Sequence, residues 1–258
     1  MAIENTTVQG TTTATPKKRG WVRKLFRFAL ITGLVFVIGL FTAHMIWKMS
    51  GSGKWELALD KGGVQVYTMK VPGTTLKHFK SVGKVKTSLQ RVMTVFTDSS
   101  MQHCHDIMSN CLTSTVVEPW NANSHYWVGM VRARLPKPFL PRELVMKDQF
   151  SQDPQTKTLF IEITAAPELL PPDNCCVRVT HMDNKWRWTP LKNGEFEAEV
   201  VEDMDVQVPY ILWNARTREV WKIMSTVQAL MDREKGPDGK FDFLQEPETE
   251  ASLQKAAN

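Results

Sequence analysis

The chain has 258 residues and a formal net charge of +5, and this charge is unevenly distributed. Residues 1–54 carry +7, residues 55–232 are formally neutral, and residues 233–258 carry −2. Because a neutral segment offers no basic patch to a phosphate backbone, the composition argues against binding of nucleic acid.

Residues 28–47 contain no Lys, Arg, Asp or Glu. A helix of this length covers a hydrocarbon core of roughly 30 Å, so we predict one transmembrane helix. Basic residues cluster in residues 17–27, which predicts a cytoplasmic amino terminus and an outer, periplasmic or extracytoplasmic, carboxyl-terminal part. A cleaved signal peptide is the alternative, but its apolar core is usually shorter, and bulky residues 45–47 stand where small residues are needed.

Five parts of the chain follow from this pattern. Residues 55–232 are predicted to form one domain, because about 180 residues suffice for a single hydrophobic core. The other parts are a disordered basic cytoplasmic tail (1–27), the transmembrane helix (28–47), a linker (48–54) and a flexible tail (233–258).

The domain opens with a predicted hairpin over Val64–Val85, whose two alternating segments flank a Pro-Gly turn. Ser88 is suited to cap a following helix whose apolar residues recur at helical spacing. A second short helix is predicted for Ser100–Asn110.

From Leu112 the hydrophobic period changes to two, which predicts an antiparallel meander. Pro209, a good first-turn residue, is predicted to begin a long helix that ends near Asp232. The order of elements indicates an α+β domain in which a curved sheet surrounds this last helix. The predicted strands are Leu112–Trp120, Ser124–Leu135, Arg142–Phe150, Thr158–Ala166, Cys175–Met182, Trp186–Pro190 and Glu195–Met204.

Several strings in the domain resemble the START domain, the lipid-transfer module of the steroidogenic-acute-regulatory-related family. PRELVMKDQF at 141–150 resembles the family's Arg-Asp-Phe/Tyr-Val strand, with Glu143 in place of the usual Asp. EDMDVQVPYILWN at 202–214 resembles the segment that enters its last helix, without the usual Gly. GVQVYTMK at 63–70, LKHFKSVGKV at 76–85 and CVRVTH at 176–181 are similar to its first hairpin and its Val-Arg strand.

The resemblance implies a helix-grip fold, in which a curved antiparallel sheet wraps a long carboxyl-terminal helix and an apolar tunnel holds one lipid. It also implies that the last helix and adjacent loops act as a lid. The expected function is that of a membrane-tethered lipid-binding or lipid-transfer protein for a sterol, phospholipid or related lipid. Its expected partners are that lipid and the membrane.

Two other classes of function stay open. The first is a cyclase- or hydrolase-like enzyme that acts on a bound hydrophobic substrate, and the second is a non-catalytic, membrane-anchored interaction domain. We favour a protein without catalytic residues or cofactor, because the sequence contains no Gly-rich phosphate loop, nucleophile elbow or paired-carboxylate motif.

Asp148 is the most informative polar residue, because alternation places it on the apolar face of its strand with Met146. A buried carboxylate is costly unless it is paired or neutral. We expect it to pair in the tunnel with Arg132 or Arg134, and the pair to contact a lipid headgroup. An edge position with Asp148 turned to solvent is the alternative.

The candidate ligand-binding residues follow from these positions. His181 is predicted to be either a hydrogen-bonded core histidine or a ligand-binding residue, and Trp213 lies in the segment that enters the last helix. The full set is Met130, Arg132, Arg134, Met146, Asp148, His181 and Trp213.

The four cysteines are predicted to be mostly free, buried thiols. Cys104 and Cys111 would lie two turns apart on a helix, and Cys175 and Cys176 would point to opposite faces of a strand. No metal site is predicted around Cys104, because His103 and His105 point in different directions on a helix.

Overall fold

The computed structural model describes residues 19–97, 101, 104–233 and 240–247. It divides into two compact units, of which the first contains a single helix, α1 (Arg19–Met49). By its length and composition, α1 is able to cross a membrane. It is longer at both ends than the predicted span 28–47, and residues 1–18 of the predicted basic tail lie outside the described residues.

The second unit begins at Ser50 and combines strands with short helices. Its helices are α2 (Leu89–Phe96), α3 (Cys104–Ile107), α4 (Tyr210–Asn214) and α5 (Thr217–Arg233). Its strands are β1 (Glu56–Lys61), β2 (Val64–Lys70), β3 (Lys77–Lys86), β4 (Cys111–Asn121), β5 (Tyr126–Ala133), β6 (Arg142–Gln152), β7 (Leu159–Ala165), β8 (Val177–Arg178), β9 (His181–Pro190), β10 (Glu195–Glu202) and β11 (Met204–Asp205).

Nine strands form one antiparallel sheet in the order β1-β2-β3-β10-β9-β7-β6-β5-β4, while β11 pairs with β9 and β8 pairs parallel with β6. The hairpin β2–β3 and the meander β4–β7 confirm the predicted strand pattern. Ser88 caps α2 as predicted, since its side chain accepts a hydrogen bond from the amide of Arg91.

Helix α5 is held by the sheet on one face. Val220, Met224 and Val227 are buried in the main core cluster together with the inner faces of β2 and β3. A Cβ atom at Gly83 of β3 would lie 2.8 Å from Gln228 Nε2, so glycine permits the close approach of the helix. The helix also contacts α3, which packs on β4 at the other edge of the sheet.

The predicted long helix from Pro209 is interrupted between α4 and α5. The sequence contains no Gly or Pro at this break, so the cause is tertiary. Asn214 donates to the carbonyl of Thr75 and accepts from the amide of Lys77, and the Trp213 indole donates to the Lys77 carbonyl. These bonds fasten the end of α4 to the start of β3.

The cysteine prediction is wrong, because both pairs form disulfides, Cys104–Cys111 and Cys175–Cys176. Helix α3 ends at Ile107, before Cys111, and the turn that follows brings the Cα atoms of the first pair to 6.1 Å. The predicted strand Cys175–Met182 is also largely absent: its cysteines lie in a turn, and only two residues pair as β8.

A segment after α5 docks on the end of the sheet. We call Lys240–Pro247 the strap. Leu244 is buried in the main core cluster, Phe243 stacks on His125 with ring centroids 4.1 Å apart, and Glu246 accepts from the amides at the start of α2. A flexible tail is predicted for residues 233–258 from polar composition, and residues 234–239 and 248–258 of it lie outside the described residues; the apolar side chains of residues 240–247 pack on the domain.

We expect Leu244→Ala to lower the free energy of unfolding by about 2 kcal/mol, because it removes buried apolar contacts. Chemical denaturation of the full chain in mild detergent, followed by tryptophan fluorescence, measures the change. Asp242→Ala is the matched control, since this strap side chain is 87% exposed. Equal denaturation midpoints for the two variants would contradict the docking of the strap.

Candidate functional site

Asp148 occupies the middle of β6 on the inner face of the sheet, the face that α5 covers. Its register partners are Trp127 on β5 and Ile163 on β7. The residue is 4% exposed, which excludes the solvent-facing alternative. Its Oδ1 atom has no hydrogen-bond partner among the residues that the structure describes.

Two apolar clusters meet at this carboxyl group. On one side, Trp127 and Phe150 belong to the main core cluster, whose inner rows are filled by fully buried aromatic residues such as Trp188. On the other side, Met146 and Ile163 belong to a smaller group that we call the methionine cluster. This cluster consists of Ala133, Leu144, Met146, Ile163, Ala165, Val179, Met182, Met204 and Val206.

The environment of Asp148 favours its neutral form. Burial raises the pKa of Asp148 well above its ordinary value, because the carboxylate would lose its hydration without gaining a partner. A protonated carboxyl group donates one hydrogen bond and accepts others. Burial therefore favours an uncharged carboxyl group at the base of this methionine-rich region, and methionine side chains adapt to irregular volumes.

A flap covers the methionine cluster. We define the flap as residues 203–215, and its ends are held together by an ion pair of 2.6 Å between Glu202 and Arg216. Met204 and Val206 of the flap pack into the cluster, whereas Ile211 and Leu212 are 68% and 50% exposed. The flap is thus a loop whose two ends are joined by an ion pair. Its inner side chains pack on the methionine cluster, and its outer side presents apolar side chains to solvent.

The neighbouring front loop, residues 134–141, meets the flap at Arg142. The guanidinium of Arg142 donates to the carbonyls of Leu140, Val206 and Gln207. Leu140 of the front loop is 56% exposed, so one arginine joins two segments that each present apolar side chains to solvent.

Comparisons with known proteins identify the fold. No family model matches the chain, and no curated protein is similar to it in sequence. A fragment of the STAR-related lipid transfer protein from Xanthomonas axonopodis superposes with a TM-score of 0.63 at 17% identity, over 70% of this chain and 100% of that one. Human StAR-related lipid transfer protein 5 superposes with a TM-score of 0.57 at 16% identity, over 80% of this chain and 96% of that one. The lipid transfer and protein localization domain of human StarD13 superposes with a TM-score of 0.59 at 13% identity, over 77% of this chain and 97% of that one.

The domain has the START fold. The resemblance found in the sequence is confirmed at the level of the fold, and the helix-grip arrangement is the one predicted. Because these sequence identities are below 20%, the similarity describes the fold.

The START fold places three of the candidate residues inside. Asp148 and Met146 lie on the inner face, and Trp213 is buried at the flap base, where its ring packs at 6.1 Å from Phe79 and below the guanidinium of Arg216 at 4.0 Å. Trp213 therefore has a role in anchoring the flap.

Arg132 and Met130 lie on the outer face, so the expected Arg132–Asp148 pair does not form. Register explains the difference: Arg132 pairs with Glu143, while the partner of Asp148 is Trp127, five residues earlier on β5. Arg132 forms ion pairs with Glu143 and Asp173 at 2.7 and 2.6 Å, and hydrogen bonding to Glu143 raises the pKa of Arg132.

These residues line an outer groove of about 410 Å³ beside Pro171 and Pro172. Its charged groups satisfy one another, since Glu143 also pairs with Arg178 at 2.5 Å, and Arg178 donates to three loop carbonyls. The network fastens the loop that follows β7 to the sheet.

Arg134 and His181 are both exposed, and neither approaches Asp148. Arg134 follows β5 in the front loop. His181 is predicted to be a hydrogen-bonded core histidine or a ligand-binding residue; it does bond to Asp203 at 3.1 Å, but its side chain is 58% exposed, which contradicts a place in the core. A role of either residue in ligand binding stays a prediction.

The sequence interpretation missed Arg142 and the Glu202–Arg216 pair. Alternation along β6 does place Arg142 on the same face as Asp148, which is a weak signal of an inward charge. No local signal links Glu202 to Arg216, because their ion pair depends on how the flap returns to the sheet.

Asp148→Asn is expected to flatten the pH dependence of stability. The unfolded chain releases the Asp148 proton near pH 3.9, about the ordinary pKa of Asp, while the folded protein retains it to higher pH. The unfolded state then binds fewer protons, so wild-type stability falls as pH rises above about 4. Asparagine cannot titrate, and the variant should lose less stability between pH 4 and neutrality.

Denaturation at a series of pH values tests this expectation, and parallel profiles for wild type and Asp148→Asn would contradict it. Asp153→Asn is a control with the opposite sign. Backbone amides of Thr156 and Gln155 lower the pKa of Asp153, so its contribution is present above about pH 3.9 and is lost as pH falls.

Proposed function

We propose that the chain is a membrane-tethered lipid-binding and lipid-transfer protein. One hydrophobic ligand, a sterol, phospholipid or related lipid, occupies an internal tunnel that forms where Met204 and Val206 of the flap separate from the other residues of the methionine cluster. The observation that carries the proposal is Asp148, a buried carboxyl group with an unpartnered oxygen at the base of an adaptable apolar region. The START fold, shared with proteins described as lipid transfer proteins, supports the same conclusion.

The free energy of binding comes from apolar contact. The lipid body enters past the flap and gains about 25 cal/mol per Å² of apolar surface removed from water. Asp148, protonated, exchanges hydrogen bonds with an uncharged oxygen of the ligand. A hydroxyl or carbonyl group of the ligand can form these hydrogen bonds with Asp148. A charged phosphate would lose more hydration free energy on burial, because the site around Asp148 is apolar.

We further propose that α1 anchors the protein as a single-pass span, with a cytoplasmic amino terminus and the START fold on the outer side of the membrane. The basic residues at 17–27 support this orientation. The two disulfides support it independently, because such bonds persist in oxidising compartments.

Anchoring limits how far the domain can travel. Only residues 50–55 separate α1 from β1, and Ser50 and Gly53 already bond to Lys70 at the end of β2. The domain would therefore load or deliver lipid at the surface of its own bilayer. The exposed apolar residues of the flap and front loop are suited to that contact.

Purification of the full chain in mild detergent, followed by untargeted lipidomics, tests the proposal. We expect close to one lipid per chain, enriched over the bulk membrane. A protein that carries only detergent and bulk lipid, and that extracts nothing from mixed vesicles, would overturn the proposal and favour an interaction domain.

Asp148→Ala should change the lipid occupancy more than it changes folding. The substitution removes the only group at the base of the methionine cluster that we assign to the polar end of the ligand. Mass spectrometry of the co-purified lipid measures occupancy and composition. Asp183→Ala on β9 is the control, since that carboxylate is 42% exposed and pairs with Lys185. Equal lipid content in wild type and Asp148→Ala would rule out the assigned role.

A further inference from the structure

Arg142 holds the flap against the front loop through backbone carbonyls. The residue begins β6 and is 4% exposed. Its Nη1 donates to the Leu140 carbonyl at 2.6 Å and its Nη2 to the Gln207 carbonyl at 2.8 Å, while its Nε donates to the carbonyl of Val206. One side chain therefore bridges two segments that are more than sixty residues apart in sequence.

Two partly buried arginines, Arg178 and Arg216, are each paired with a carboxylate, whereas the buried Arg142 is bonded to carbonyls. Arg178 and Arg216 lie at 2.5 and 2.6 Å from Glu143 and Glu202, respectively. Within residues 19–97, 101, 104–233 and 240–247, no carboxylate lies within ion-pair distance of Arg142. Burial lowers the pKa of Arg142 because its charge loses hydration, and the carboxylate of Asp205, which lies beyond ion-pair distance, offsets part of this effect.

A phosphate group would compensate this charge more completely than the carbonyls do. Guanidinium and phosphate form bidentate, charge-assisted hydrogen bonds, which are stronger than bonds to a neutral carbonyl. The segments that Arg142 joins carry Leu140, Ile211 and Leu212, whose exposed side chains mark the edge of the domain that an apolar lipid surface would meet.

We propose that Arg142 is a latch whose alternative partner is the phosphate of an anionic lipid headgroup. When the apolar residues of the flap and front loop enter the headgroup region, a lipid phosphate replaces the carbonyls of Val206 and Gln207. The flap then separates from the front loop and exposes the methionine cluster. The flap base stays closed, because the Glu202–Arg216 pair lies outside this exchange.

This inference rests on the proposed function, since it explains how the site opens only where a bilayer is present. Arg142 is then a positioning residue. Its anionic partner is a phosphate at the bilayer surface, whereas the partner of Asp148 is an uncharged oxygen of the bound lipid. The two polar groups, Arg142 at the mouth and Asp148 at the base, are separated by six residues of β6, or roughly 20 Å at about 3.3 Å per residue.

Hydrogen exchange of the flap measures the latch directly. The full chain is reconstituted into vesicles of phosphatidylcholine alone or of phosphatidylcholine with phosphatidylglycerol. For wild type we expect exchange of the amides in residues 203–215 to rise about tenfold with phosphatidylglycerol. For Arg142→Gln we expect fast exchange of the same amides in both vesicles. Retention of the phosphatidylglycerol effect in this variant would overturn the proposal.

Two further variants keep the test decisive. Lys137→Gln removes an exposed cation from the front loop and should preserve the response, which separates the latch from general attraction to an anionic surface. Arg142→Lys retains the charge but cannot span three carbonyls, so the flap should exchange faster than in wild type in phosphatidylcholine alone. Equal exchange in Arg142→Lys and wild type would count against the latch even if Arg142→Gln failed to fold.

Inorganic phosphate added to the phosphatidylcholine vesicles identifies the source of the anion. No effect supports a headgroup at the bilayer surface, whereas faster flap exchange with soluble phosphate alone overturns that assignment. The lipidomics experiment is independent of these measurements. A wild-type protein that carries lipid but whose flap ignores phosphatidylglycerol refutes the latch alone, and a responsive flap without any bound lipid refutes the proposed function alone.

Discussion

Burial of the apolar face of α5 is the constraint around which the domain is built. Val220, Met224 and Val227 need a continuous apolar surface, which the inner faces of β2 and β3 provide. Because α5 also contacts α3, which packs on the opposite edge strand β4, the sheet must curve to bring both of its edges to the helix. This curvature creates an inner face much larger than one helix can cover.

The uncovered part of the inner face is where the candidate function lies. Aromatic residues fill the part near the strap, and the methionine cluster fills the part near the flap. Asp148 lies between the aromatic part and the methionine cluster, where its carboxyl group lowers the stabilisation that an apolar side chain would give. Such a group is costly in a protein that needs only stability, so its presence supports a site that exchanges contacts with a ligand.

Closure at the two ends of the sheet uses different chemistry. The strap closes one end with the buried Leu244, with the partly buried Phe241 and Phe243, and with hydrogen bonds to α2 and Gln152. The flap is fastened at its base by the Glu202–Arg216 pair and is joined to the front loop by Arg142, which bonds to carbonyls, while Ile211 and Leu212 stay in solvent. The second arrangement holds a buried guanidinium by carbonyls and by no carboxylate at ion-pair distance within the part of the chain that the structure describes.

Local sequence patterns determined much of this protein. The charge-free run predicted α1, alternation predicted most of the strands and the inward position of Asp148, and ordered strings resembling the START domain predicted the helix grip. Each of these features can be seen in a short segment of sequence, because hydrophobic content and hydrophobic period are local properties. Tertiary structure alone decided the break before α5, the two disulfides, the docking of the strap and the outer position of Arg132. Each of these depends on which distant residues meet: Lys77 with Asn214, Trp120 with Phe241, and Glu143 with Arg132. Alternation assigns a residue to a face, but only the folded register decides which partner stands opposite it.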